Sequence, residues 1–339
     1  MKSVLFCALF SVLLAFALPL LLSVPGGSAA APVESALPTA SPESAGTAPP
    51  EDSPAPVLDS AITLRLWTEE GVKTISMAEY LPLAVAGEMP AAFHPEALKA
   101  QSVALRSYAL YYQDAPKSAH PEADVCESAG CCAARTTLTA LRETWGEHFD
   151  EYYAKVCAAV AETDGQYLVW EDAPALTVFH ASSAGRTESG AALGVSQAYL
   201  LSVDTPETED TVRNLASTVE VSAEEFRRAI LSLAPTAELS GPPESWLGPV
   251  SADTAGRVEA MEIGGQRFSG LTLRQLFSLR STDFTLERRE SGFVFHVRGY
   301  GHGLGMSQYG ADLLADGGAN YGEILAHYYP GTRLVIALR

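Results

Sequence analysis

Basic residues are scarce in this chain: 22 Lys and Arg stand against 41 Asp and Glu, for a formal net charge of −19. No basic stripe exists to neutralise phosphates, which excludes nucleic acid as a partner. Cysteine is sparse as well, with five in 339 residues, and no internal repeat marks a solenoid or propeller. The sequence lacks the G-x-S-x-G elbow that presents a serine nucleophile.

Between Lys2 and Arg65 there is no positive charge at all. That gap opens with an uncharged apolar run over residues 4–24. About 20 apolar residues span a bilayer, whereas the apolar part of a cleaved signal is usually about 7–15 residues. The expectation is an N-terminal transmembrane anchor over residues 1–25 with its short end, carrying Lys2, in the cytoplasm. The rest is then extracytoplasmic. Ser28-Ala29-Ala30 supplies a small-residue cleavage site, so secretion after signal removal is the alternative. Residues 26–58 are nearly all Ala, Pro, Ser, Glu, Gly and Thr, a composition that buries too little apolar surface to order itself and reads as a linker.

Residues 59–339 read as a single large α+β domain with segregated helices and antiparallel hairpins. Residues 61–67 alternate like a strand. Residues 166–170 and 175–179 read as a strand pair about a turn at 171–174, and residues 257–263 with 267–268 flank Gly264-Gly265. A strand at 218–221 runs into a helix at 223–233.

Ser76-Met77-Ala78-Glu79 has the spacing of a capping box, and Pro90 disfavours helix at the residue before it. A helix from Met77 to about Met89 follows. Leu81, Ala84, Val85 and Glu88 share its apolar face. Glu88 is the only acid on that stripe and lies at the C-terminal end, where the helix dipole disfavours negative charge. Both effects favour the protonated carboxyl that a general acid needs. A satisfied helix-end acid fits the same pattern. A second helix starts at Pro95, with Leu98, Gln101, Leu105, Tyr108 and Tyr112 on one stripe and Lys99 and Arg106 on a neighbouring basic row.

His120, Cys126, Cys131 and Cys132 lie within 13 residues, at spacings longer than the usual C-x2–4-C of a zinc finger. Disulfide pairing of Cys126 with Cys132 and free thiols both fit, while Cys157 reads as core. FHASSAGRTES (179–189) places His180, Ser182, Ser183 and Arg186 about a small-residue turn. GYGHGLGMSQYGA (299–311) packs five glycines around His302 and Gln308, for a tight turn or for close approach of a sugar chain to backbone.

These segments resemble the SpoIID/LytB family. The resemblance rests on YLPLAVAGEMPAAFHPEALKAQSVALRSYAL (80–110), ADVC…CCAA (123–134), FHASSAGRTES, LRSTDF (279–284) and GYGHGLGMSQYGA in that order, and it spans roughly residues 60–339. It implies a peptidoglycan lytic transglycosylase that cuts the β-1,4 bond between N-acetylmuramic acid and N-acetylglucosamine, on strands stripped of stem peptides, leaving a 1,6-anhydro end. It puts the catalytic acid at Glu88. Substrate-groove candidates are Lys99, Arg106, His180, Ser182, Ser183, Arg186, His302 and Gln308, with bracing of the helix as the other role for Lys99 and Arg106. His180 stands where the family commonly has Tyr, and Ala184-Gly185 where it has Gly-Gly. The resemblance also implies a zinc ion on His120, Cys126 and Cys132, with Cys131 as a possible substitute ligand. Its implied partners, besides the glycan, are stage II sporulation proteins P and M. A non-catalytic amidase enhancer that only binds glycan is the alternative function.

Overall fold

The computed structural model describes residues 57–337. The expected anchor over 1–25 and nearly all of the linker lie outside that range. Among the described residues no helix is long and apolar enough to cross a membrane.

In chain order the elements are β1 (Thr63–Thr68), β2 (Gly71–Ser76), α1 (Met77–Glu88), α2 (Pro95–Asp114), β3 (Val125–Cys126), α3 (Leu138–Trp145), α4 (Phe149–Glu162), β4 (Gln166–Trp170), β5 (Ala173–Pro174) and β6 (Phe179–His180). Then come β7 (Ala216–Ser222), α5 (Ala223–Leu233), β8 (Leu247–Ala252), β9 (Val258–Ile263), β10 (Gln266–Ser269), α6 (Gly270–Leu276), β11 (Phe284–Arg289) and β12 (Gly292–Arg298). The chain closes with β13 (Met306–Ser307), α7 (Gln308–Asp316), α8 (Tyr321–Tyr328) and β14 (Arg333–Ile336). The class is α+β, and most strand pairs are antiparallel; β1 with β3 and β6 with β13 run parallel.

Two hydrophobic cores divide these elements. The first gathers α1, α2, α4, α7 and α8 with the short strands around them. The second is built inside residues 216–298 from two three-stranded sheets, ordered β10-β9-β8 and β11-β12-β7, closed by α5 and α6. Its centre is aromatic: Phe226 lies 4.2 Å from Phe293 and 5.2 Å from Phe277, ring centre to ring centre. The chain leaves the first core after residues 199–203 and rejoins it at Leu304.

Four strand-to-helix junctions use one device. Ser76, Ser222, Ser269 and Ser307 each end a strand in extended backbone and cap the following helix with the hydroxyl. At Ser76 and Ser222 a glutamate three residues on closes the capping box. These local signals settle where α1 and α5 begin. Met89, before Pro90, is extended and stops α1.

Two readings of the sequence need correction. The strand expected at 175–179 is replaced by β5 at Ala173–Pro174, because Glu171 and Asp172 take left-handed backbone (φ 49° and 64°) and turn the chain within two residues. The second concerns the basic row on α2, which is no open face: Arg106 is fully buried and Lys99 largely covered. Ala97, Leu98, Ala100 to Ala109 are all buried, and α1, α4, α7, α8 and β4 pack around the helix. A helix covered on all sides sits at the centre of a core. The small residues at 97, 100, 102, 104, 107 and 109 let its neighbours approach closely.

Candidate active site

Glu88 is the last residue of α1 and is half-buried. The segment after the cysteine cluster folds against it. The Ala134 amide donates to Glu88 Oε1 in a very short hydrogen bond, and the Thr136 amide donates to the Leu83 carbonyl at 3.2 Å. Gly87 permits this approach, since a Cβ there would stand 2.7 Å from the Ala134 oxygen. The side-chain amide of Gln308, the first residue of α7, is a second donor acting on the carboxyl. Burial pushes the Glu88 carboxyl above the ordinary range, and the Ala134 and Gln308 donors act in the opposite direction without cancelling it.

Gln308 is itself buried, and its Nε2 lies 3.5 Å from Gln101 Oε1 on α2. Ser307 caps α7 and donates a short hydrogen bond to Glu207, whose Oε1 also accepts from the Ser183 amide at 2.8 Å. Burial raises the Glu207 carboxyl too. Sequence reasoning missed Glu207: it follows Pro206 in an acidic stretch with no periodicity to set it apart. Gln101 did carry a signal, as a polar residue on an otherwise apolar stripe.

The motifs at 179–189 and 299–308 lie side by side. β6 pairs with β13, Ser182 and Tyr300 exchange backbone hydrogen bonds at 3.0 and 2.8 Å, and the Glu188 amide donates to the Gly303 carbonyl at 2.8 Å. Gly305 makes the turn at φ +70°, and any side chain there would collide with the Val178 carbonyl. The 279–284 segment joins them through the Gly301 amide, which donates to the Arg280 carbonyl at 2.9 Å.

The histidines of these motifs differ. His180 is buried, with Nδ1 3.2 Å from the Leu304 carbonyl and Nε2 2.6 Å from Ser183 Oγ. Burial, with His302 and Arg257 adding to it, holds its imidazole neutral. The neutral tautomer fitting both partners carries its proton on Nδ1 and accepts from Ser183 at Nε2. A serine–histidine pair is therefore present, but Ser183 is wholly buried and takes a further hydrogen bond from Arg257 Nη2 at 3.2 Å. The pair braces the loop and cannot meet a substrate. His302 is exposed, 5.7 Å from His180 between ring centres; crowding around it and the nearby Arg274 keep it below the usual histidine range.

The remaining groove candidates are placed as follows. Arg106 is fully buried and held by Asp59 through two 2.7 Å bonds and by the Gln166 carbonyl at 2.7 Å, so it braces α2 and is no groove residue. Lys99 bridges Glu96 and Glu162 at 2.7 and 2.6 Å and serves the same purpose. Arg186 pairs with Asp204 at 2.8 Å on the surface. Ser182 contributes backbone, not a free hydroxyl face, to the loop pairing.

His120, Cys126, Cys131 and Cys132 converge: one ligand atom from each lies within 4.8 Å of the others. All three cysteines are free thiols. His120 Nδ1 is engaged by the Ala123 carbonyl at 3.1 Å, which leaves Nε2 directed at the sulfurs, 3.2 Å from Cys132 Sγ. One imidazole nitrogen and three sulfurs in so small a space is the donor set of a tetrahedral zinc site. The residues fit the group.

A family model described as "SpoIID: Stage II sporulation protein" matches residues 68–170. Stage II sporulation protein D of Bacillus amyloliquefaciens is 32% identical over 267 residues, covering 78% of this chain and 75% of that protein. The chain belongs to the SpoIID family. The Bacillus subtilis protein of the same name is 31% identical over 268 residues, 78% of this chain and 76% of that one. A Bacillus subtilis amidase enhancer is more distant, 26% identical over 303 residues, with 74% of this chain and 39% of that protein covered. The SpoIID match takes in α1 with Glu88, α2, the cysteine cluster and α4.

Proposed function

We propose that this SpoIID-family chain is a peptidoglycan lytic transglycosylase with Glu88 as its general acid and base. The observation that carries the reading is the Glu88 carboxyl itself, half-buried at a helix C-terminus and raised by burial. A protonated Glu88 gives its proton to the glycosidic oxygen as the C1–O bond of the muramyl residue breaks. The carboxylate left behind takes the proton of that sugar's own C6 hydroxyl, whose oxygen closes on C1 to give the 1,6-anhydro ring. Water is not consumed, so the second carboxylate that a hydrolase uses to activate water is not required. The Ala134 amide and the Gln308 side chain hold the carboxyl in place and stabilise its charged form during the cycle.

A zinc ion would be held by His120, Cys126 and Cys132, with Cys131 as the further donor. It would supply a cross-link, fastening the loop that ends in Ala134. The apolar run at 4–24 would tether the domain outside the cytoplasmic membrane, where the wall substrate lies. Stage II sporulation proteins P and M are the partners this reading carries with it, in the engulfment stage of sporulation.

The test is to incubate the protein with stem-peptide-free glycan strands and to compare it with Glu88→Gln by mass spectrometry. The wild type should release anhydro-muramyl ends, and the variant should lose about 100-fold or more of the rate, the span general acid catalysis carries. A variant that solubilises strands as fast as its parent refutes the mechanism. Glycan binding with no product from either protein would favour the amidase-enhancer alternative suggested by the relative of that name.

A further inference from the structure

Glu207 is a buried acid that the proposed chemistry does not use. It is 3% exposed and enters on a segment pinned at two places. The Thr205 amide donates to the Gly185 carbonyl at 3.0 Å, and His327 Nε2 of α8 lies 2.8 Å from the Asp204 carbonyl. The carboxyl meets the point where the parallel pair β6 and β13 ends and the two chains part. Its Oε1 accepts from the Ser183 amide at 2.8 Å and from the Ser307 hydroxyl in a very short bond. One oxygen thus joins its own segment to two others, 24 and 100 positions away.

The bond from Ser307 has the wider consequence. A hydroxyl has one proton. With that proton given to Glu207, the Ser307 oxygen faces the Gly310 amide at 3.3 Å as the cap of α7. Helix α7 follows a strand of only two residues, so its first turn depends on this cap. Gly310 in that turn lies against the carboxyl: a Cβ there would stand 3.0 Å from Glu207 Oε2 and collide with the Tyr328 hydroxyl. Neither of those two buried oxygens has a hydrogen-bond partner among the described residues, which is a cost to stability. The two bonds of Oε1 offset it, and one of them fixes the turn that starts with Gln308, a donor to Glu88.

We propose that Glu207 is a positioning residue for the acid: through the Ser307 hydroxyl it fixes the first turn of α7, and with it the place from which Gln308 acts on Glu88. This rests on the glycan-cleaving reading above. The role needs an acceptor oxygen and no charge, in keeping with burial that already favours the protonated Glu207 carboxyl.

The experiment compares, in the full chain, Glu207→Gln, Glu207→Met, Gln308→Leu and the double variant of the last two. Cleavage of stem-peptide-free strands is followed against pH. Glu207→Met should lower kcat about tenfold or more at unchanged KM, the worth of one hydrogen bond to a charged group, and should move the alkaline limb upward as Gln308→Leu does. The double variant should move it no further, because both changes remove one contact. Glu207→Gln keeps an acceptor oxygen in place and should leave the limb where the wild type has it. A merely structural role would lower the folded fraction alike at every pH, and the two single effects would add. Should Glu207→Met not fold, Ser307→Ala takes its place, cutting the same link at the hydroxyl. An unmoved limb, additive shifts, or a Glu207→Gln profile like that of Glu207→Met overturns the proposal. A second readout needs no substrate: the side-chain amide NMR signal of Gln308, assigned by its loss in Gln308→Leu, should shift in Glu207→Met and stay in Glu207→Gln. If the wild type yields no anhydro product while that signal behaves so, the positioning role stands and the cleavage mechanism falls. A signal unmoved in Glu207→Met overturns the role whatever the products are.

Discussion

Replacing Arg106 by Ala removes a guanidinium that is 0% exposed from an Asp59 carboxylate that is 4% exposed. Three 2.7 Å hydrogen bonds go with it, two to Asp59 and one to the Gln166 carbonyl. Asp59 keeps only a long 3.4 Å contact from the Gly165 amide, so its charge is left buried and nearly uncompensated. Removing one partner of such a pair costs about 3–5 kcal/mol, a factor of a few hundred to a few thousand in the folding equilibrium. Against a typical domain stability of about 5–15 kcal/mol, the variant should fold but unfold at a much lower urea concentration. Asp59→Leu combined with Arg106→Met removes both charges and should recover most of the loss, because well-packed apolar groups often replace a buried pair at no net cost. The assay is urea unfolding of the wild type, both single variants and the double variant, alongside glycan cleavage at low temperature where each remains folded. Arg106→Ala with an unchanged midpoint and abolished cleavage would refute the bracing role and return Arg106 to the groove.

Gln308→Leu removes a donor that lowers the Glu88 carboxyl, so the group should keep its proton to higher pH; the alkaline limb of the cleavage profile should move upward, and a downward shift or none would contradict the contact. Stripping metal with a chelator should lower the thermal midpoint of the wild type and leave that of a Cys126→Ser, Cys132→Ser protein unaffected, with metal content read by elemental analysis. Gly305→Ala meets both left-handed backbone and the Val178 carbonyl, and should cost about 2 kcal/mol or more in urea unfolding, where a freely accommodated alanine would cost nothing.

The expected membrane anchor and linker rest on composition alone, and all but the last two linker residues fall outside residues 57–337. Within that range, legibility followed distance along the chain. Ser76 with Glu79, and Pro90, act over three or four residues, so the limits of α1 and the place of Glu88 at its end could be read directly. Arg106 could not be. Its role depends on Asp59, 47 positions away, and on helices α4, α7 and α8 closing over α2 from later sequence. Periodicity counts apolar positions on one helix and is blind to how many neighbours will cover it. The division into two cores was equally hidden, because both have ordinary strand and helix patterns and differ only in which of them meet.

What the sequence by itself determined was the chemistry-bearing set: an acid on an apolar helix face, a histidine with three cysteines, and two glycine- and serine-rich motifs. Only the tertiary structure decided their employment. It put Gln308 and the Ala134 amide on Glu88, buried Ser183 beneath His180 and Arg257, and set the Glu207 carboxyl on Ser307. The physical reason is that hydrogen bonding and burial fix protonation and access, and for Glu88 they come from groups 46 and 220 positions away in the chain. No local pattern encodes them.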